Sequence, residues 1–236
     1  MTSGAARSAV VTGANRADGI GLALVRELRE RGCAPVVGTY RDPATSDALL
    51  ARAANDPAVL AAELDVTSGK SVAAFARWCA EHLERVDLLV NNAGLGSVPG
   101  SIVTAPIAEL EQQVQVHGVG MLRVTRALLP LMGPGAVVLS ISSSLGSIAE
   151  MNAGSTYYAP AKAFQNALTR QLAATVRRDG VIAFSASPGW VATSMGGAGA
   201  QLTPEESARQ LADLLLGAGP EDAGTFRSLD GGVIAW

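Results

Sequence analysis

Tyr158 and Lys162 lie four residues apart in the run Tyr158-Ala159-Pro160-Ala161-Lys162. On a helix, that spacing puts both side chains on one face. A phenol titrates near ~10 in water, and a neighbouring ammonium favours the phenolate and lowers that value. Tyr157 is five residues from Lys162, which turns it off the lysine's face. Lys162 and Lys70 are the only lysines in the chain, so chance rarely produces this spacing. Reduction of a carbonyl needs a hydride donor held at the carbon. It also needs a group that surrenders a proton to the developing alkoxide, and a cation that makes that group acidic. The pair supplies the last two.

A second cluster binds rather than reacts. The stretch Thr12-Gly13-Ala14-Asn15-Arg16-Ala17-Asp18-Gly19-Ile20-Gly21 follows a short apolar run and precedes an apolar-periodic one. Gly13 permits the tight turn. Gly19 and Gly21 let backbone approach a pyrophosphate, and the next helix turns its free N–H groups and dipole toward the anion. The following apolar run ends Val37-Gly38-Thr39-Tyr40-Arg41. An enzyme that uses NAD puts an acid there for the ribose hydroxyls. Here Thr39 or Tyr40 occupies the place, and the guanidinium of Arg41 suits a 2′-phosphate. The expected cofactor is NADPH.

Alternating strands and helices must position these groups. Ser8 to Thr12 reads as a strand, residues 19 to 31 as a helix, and Pro35 to Tyr40 as a second strand. A helix over 42–55, a strand over 59–64, a helix over 69–83 and a strand over 87–90 follow. One long helix is predicted from 107 to 132, a strand over 135–141, and a second long helix from 157 to 178. A strand at 181–186 leads into a glycine-rich stretch from 189 to 200. A helix over 204–216 and a short strand near 225–229 end the chain. Continuously apolar strands alternating with helices predict an α/β fold: a doubly wound parallel sheet of about seven strands with helices on both faces. The chain has 236 residues, which predicts a single domain over 1–236.

Composition excludes several classes. Formal net charge is −3 with no block of like charge, so no nucleic-acid partner is expected. Apolar residues make up 48%, which argues against disorder. No apolar run approaches ~20 residues, so no membrane span is expected, and the polar start lacks a signal peptide's apolar core. Cys33 and Cys79 have no metal-ligand spacing; they read as buried free thiols, and no metal is expected. The expected setting is cytoplasmic.

The glycine loop resembles that of the short-chain dehydrogenase/reductase family, TGxxxGxG, a single-domain Rossmann-type fold. Here Gly13 and Gly19 are separated by two extra residues, Ala17-Asp18, and an acid beside phosphates is repulsive unless it points away. The resemblance extends to Asn91-Asn92-Ala93-Gly94, to Ile141-Ser142-Ser143-Ser144-Leu145-Gly146, and to Pro188-Gly189-Trp190-Val191-Ala192-Thr193. It also covers the C-terminal stretch from Gly224 to Trp236, which is similar to small bacterial carbonyl reductase-like and C-factor-like members.

The resemblance implies further roles. Ser143 would hydrogen-bond the substrate oxygen beside Tyr158. Gln115 would stand where the family carries a relay asparagine, with His117 packing the helix or titrating. The cofactor would be held by Gly13, Asn15, Arg16, Gly19, Ile20, Gly21, Tyr40, Arg41, Asp65, Val66, Asn92, Ala93 and Gly94. Tyr158, Lys162, Pro188, Gly189, Val191 and Thr193 would complete that set. Asp65 reads equally as a helix cap in Asp65-Val66-Thr67-Ser68.

Met195 to Ala200 reads as a substrate lid. The two long helices would pair subunits as a homodimer or homotetramer. The leading expectation is NADPH-dependent interconversion of a small carbonyl compound and its alcohol. The alternatives are enoyl reduction, disfavoured by the Tyr158–Lys162 spacing, and an NADP(H)-binding sensor protein with little turnover.

Overall fold

A computed structural model of the chain describes residues 6–97, 99–152 and 155–236. Seven strands form one sheet in the order β3-β2-β1-β4-β5-β6-β7. They are β1 (Ala9–Val11), β2 (Val36–Tyr40), β3 (Val59–Glu63), β4 (Leu88–Asn91), β5 (Val137–Ile141), β6 (Ile182–Ala186) and β7 (Phe226–Arg227). Every pairing is parallel. The order reverses between β1 and β4, and ligands of such sheets bind beyond the strands' carboxyl ends at that switch.

The strands are apolar at most positions because both faces are covered. Ala9, Val11, Leu88, Val90, Val137 and Leu139 join one buried layer with Leu22 and Leu28 of α1 (Ile20–Glu30) and Leu211 and Leu215 of α7 (Pro204–Leu216). Their alternates Val10, Leu89 and Val138 join the other. That layer holds Phe75 and Cys79 of α3 (Gly69–His82), Val124 and Leu128 of α5 (Met121–Leu128), and Leu172 and Val176 of α6 (Tyr158–Val176). Successive residues of a strand point to opposite faces, so each feeds both layers in turn. Each fully buried leucine or valine contributes about 1.5–3 kcal/mol. Both cysteines are buried and unpaired.

Several boundaries differ from the sequence reading. The stretch expected as a helix over 42–55 is a short 3-10 turn, Pro43–Thr45, followed by α2 (Asp47–Asn55). Ser46 is buried between them. The helix expected over 107–132 is not one regular helix. It comprises α4 (Ile107–Val114), a π-helical turn over Gln115–Gly120, and α5, and it ends in a 3-10 turn at Leu129–Leu131. Gly118 and Gly120 lie in the wide turn, where a Cβ would fall 2.4 Å from the Phe164 ring and 2.8 Å from Val66 Cγ2. These contacts need bare backbone, and the turn carries the main correction to the predicted site.

Candidate active site

A crevice of about 560 Å³ runs along the carboxyl ends of the strands. The glycine loop forms one wall. Gly13 has φ +65, and a Cβ there would lie 2.8 Å from Ala93 Cα. At Gly21 a Cβ would lie 2.5 Å from both Gly13 O and Asn92 Nδ2. Asn92 donates from Nδ2 to the carbonyls of Thr12 (2.8 Å) and Gly13 (2.9 Å). Thr12 Oγ1 accepts from the N–H groups of Asn92 and Ala93, both at 3.0 Å. The asparagine signature after β4 therefore braces the loop after β1. Gly19 begins α1 with no side-chain cap, and the first turn contains no acid. The Gly19 N–H donates to Arg16 O at 3.0 Å, while Ile20 and Gly21, whose N–H groups open the helix, line the crevice as a cradle for an anion.

The two inserted residues do not put a carboxylate at this cradle. Asp18 Oδ2 accepts from the Ser194 N–H at 2.7 Å, and Oδ1 faces Arg16 Nε at 3.4 Å. These hydrogen bonds, against a small burial cost, hold the Asp18 carboxyl below its usual range. Asn15 ties the loop to Thr45 through Nδ2.

Past β2, Arg16 and Arg41 line the crevice with Asp42 and Thr45. Arg41 is exposed and makes no salt bridge among the described residues. Tyr40 departs from expectation. It does not line the crevice, because its side chain packs on the apolar layer under α1. Asp65 and Val66 line the far end, with Leu64. Asp65 Oδ1 accepts from the Thr67 N–H (2.9 Å) and hydroxyl (2.7 Å), while Ser68 caps α3. Asp65 thus closes the turn before the helix rather than capping it. Burial opposes its charge, but the Thr67 hydrogen bonds, with Arg41 and Arg123, leave its pKa lowered.

Ser143, Tyr158 and Lys162 meet at the other end. Ser143 leaves the tip of β5, and its Oγ accepts from the Leu145 N–H at 3.3 Å. Tyr158 opens α6, and Lys162 Nζ lies 5.6 Å from its ring centre. The ammonium donates to Ile141 O (2.8 Å) and Gln165 Oε1 (3.0 Å). Burial pushes the Tyr158 phenol up to about 12, and Ser143 acts against that rise. Burial also brings Lys162 down to about 7. The sequence predicted an acidified phenol; burial pushes it the opposite way. The physical reason is the shared burial, which disfavours both charged forms.

Gln115 is corrected. It is exposed and outside the crevice, while His117 takes the inward place. The π-turn adds a residue to the helical turn, so an assignment of faces at 100° per residue fails there. His117 is 1% exposed. Its ring meets the Tyr158 ring edge-on, with centroids 5.5 Å apart. Nε2 lies 3.2 Å from Leu95 N and 3.1 Å from Leu95 O, and Nδ1 is buried without a partner. Burial, then the charge of Lys162, holds its pKa well below the usual histidine value, against the Leu95 hydrogen bond. Both effects favour the neutral imidazole. Gly118 and Gly120 were the available sign of an irregular turn. Nothing in the sequence pointed to Gln165.

Pro188, Gly189, Val191 and Thr193 follow β6 and line the same end. Gly189 takes φ +75. Thr193 Oγ1 accepts from the N–H groups of Met195 (3.3 Å) and Gly196 (3.0 Å), which bends the chain back. Leu95, Leu145, Trp190 and Met195 give the mouth an apolar lining that the sequence only partly revealed.

A family model described as short chain dehydrogenase matches residues 7–201. The chain belongs to the short-chain dehydrogenase/reductase family. It is an oxidoreductase of that family by this match and by its relatives. The chain is 32% identical to cis-4-hydroxycyclohexanecarboxylate dehydrogenase of Sinomonas cyclohexanicum, over 98% of both chains. It is 33% identical to the C-signal protein of Myxococcus xanthus, over 64% of this chain and 93% of the other. Among solved structures, NADPH-bound carbonyl reductase from chicken fatty liver superposes with a TM-score of 0.91 at 30% identity. That alignment covers 98% of this chain and 99% of the other. Among the described residues no helix is long and apolar enough to cross a membrane, and no cluster of metal-ligating side chains occurs.

Proposed function

We propose that the chain is an NADPH-dependent reductase of ketones or aldehydes, or the corresponding alcohol dehydrogenase. The observation that carries this reading is the meeting of Ser143, Tyr158 and Lys162 at one end of a crevice whose other end is an anion cradle. The cradle fits a dinucleotide. Gly13 and Gly21 let the loop backbone pack tightly on Ala93 and Asn92, and α1 begins with no side-chain cap on its first N–H groups. Arg16 and Arg41 would take the 2′-phosphate and Asp65 the adenine. Pro188, Gly189, Val191 and Thr193 would border the nicotinamide, which supplies or accepts the hydride when bound.

The Ser143 and Tyr158 hydroxyls lie within hydrogen-bond reach of each other, so a substrate oxygen beside them would accept from both. Tyr158 gives its proton to the developing alkoxide. Lys162, fixed by Ile141 O and Gln165, stabilises the phenolate left behind. The Lys162 ammonium, and the nicotinamide charge in the oxidised form of the cofactor, would act to bring the phenol down from about 12. His117 fixes the ring edge of Tyr158 as a neutral packing group.

Replacing Tyr158 by Phe tests the reading. Carbonyl-dependent loss of reduced nicotinamide should fall by about 10²–10⁴, while NADPH still binds. Unchanged turnover would reject the assignment. The second reading, a sensor with little turnover, draws on the high Tyr158 pKa and the tethering of Lys162 by Gln165. It predicts no carbonyl-dependent oxidation in the unsubstituted chain either.

The chain works as one domain over 1–236 in this proposal. Buried, unpaired Cys33 and Cys79 suit a reducing, cytoplasmic setting. The exposed Ile107 of α4 and Phe164 of α6 suit pairing of copies through those helices.

A further inference from the structure

The inserted Asp18 sits immediately before α1, where a carboxylate would repel a bound pyrophosphate. It is turned out of the cradle, and its Oδ2 reaches across the crevice mouth to the Ser194 N–H at 2.7 Å. The segment it reaches is internally braced. Val191 and Leu202 form a parallel bridge, and the Ala192 N–H donates to Leu202 O at 2.8 Å. Trp190 Nε1 donates to Gly196 O at 2.8 Å. The Gly197 N–H donates to Thr193 O at 2.9 Å. These bonds tie the segment into one hydrogen-bonded unit. On its other side Met195 packs over Gly96, where a Cβ would lie 3.2 Å from Met195 Cγ. The roof therefore rests on the far wall through an apolar contact and is tied to the near wall through Asp18. Its chain enters through Gly189, whose φ of +75 marks a turn that side-chain-bearing residues rarely adopt.

We infer that Asp18 is a positioning residue that latches the 190–202 segment over the crevice and slows exchange of the dinucleotide. The inference rests on the proposed NADPH site. A carboxylate-to-amide hydrogen bond is stronger than a neutral one. With the Asp18 side chain 47% exposed it remains weak enough to open on each cycle. Arg16, facing Oδ1 at 3.4 Å, orients the carboxylate.

The sign of the effect separates a latch from a bystander. Removing a negative charge beside phosphates, and freeing Arg16, should by themselves tighten NADPH binding and slow its release. Losing a latch should speed release. The test is displacement of NADPH by excess NADP+ in a stopped-flow instrument, read by nicotinamide fluorescence. Asp18→Ala should release NADPH roughly tenfold faster. Asp18→Asn, which keeps an acceptor oxygen, should fall between it and the parent. Ser194→Pro removes the donor from the other side, so it should speed release similarly, and combining it with Asp18→Ala should add little. Release from Asp18→Ala that is unchanged or slower overturns the latch while leaving the NADPH site standing. If the unsubstituted chain shows no NADPH binding, the latch and the proposed function both fall.

Discussion

The reactive residues are few, and burial governs them. Tyr158 and Lys162 share a dry pocket, so each is pushed toward its neutral form. Lys162 has a consequence for stability. In the folded chain it loses its proton near 7; unfolded, it keeps it to about 10.5. Between those values the unfolded chain binds more protons, so stability rises with pH. Above about 10 the trend reverses, since folded Tyr158 holds its proton to about 12. Urea unfolding of the cofactor-free protein should show a gain on the order of 1–3 kcal/mol from neutral pH to about 10. Lys162→Met should flatten that rise. A slope that persists in the variant would mean another group carries it.

The elements bring these residues together through close backbone approaches. Gly21 is one of them, with Asn92 and Gly13 both 2.5 Å from where a Cβ would stand. Gly21→Ala must move the Asn92 side chain, whose hydrogen bonds hold the glycine loop. NADPH affinity should fall at least tenfold, with a loss of about 1–3 kcal/mol in folding stability. Titration of nicotinamide fluorescence and urea unfolding check the two parts. The π-turn between α4 and α5 is the second such device. It places His117 against Tyr158 and turns Gln115 out to solvent. Regular helical periodicity located the long helix, and the family resemblance put Gln115 at the site; the widened turn puts His117 in the crevice instead.

At the scale of the molecule, the sheet separates two apolar layers that share strands but not side chains. Val25 of α1 belongs to one and Val124 of α5 to the other, both fully buried. Val→Ala at either position should cost roughly 2 kcal/mol. The double variant should lose the sum, within about 0.5 kcal/mol, because the sites have no common partners. Calorimetry or urea unfolding measures it, and strong coupling would show that the sheet transmits packing strain between its faces.

The chain's own letters determined the alternation of strands and helices, the glycine turn before α1, and the Tyr158–Lys162 spacing. Each follows from local periodicity or from a conformational need that few residue types meet. The tertiary structure alone decided that His117 rather than Gln115 faces the crevice, that Tyr40 packs inward, and that Asp18 reaches Ser194. It also decided that Gln165 holds Lys162. Those outcomes depend on a widened helical turn and on contacts between segments far apart in the chain, which no short window of sequence contains.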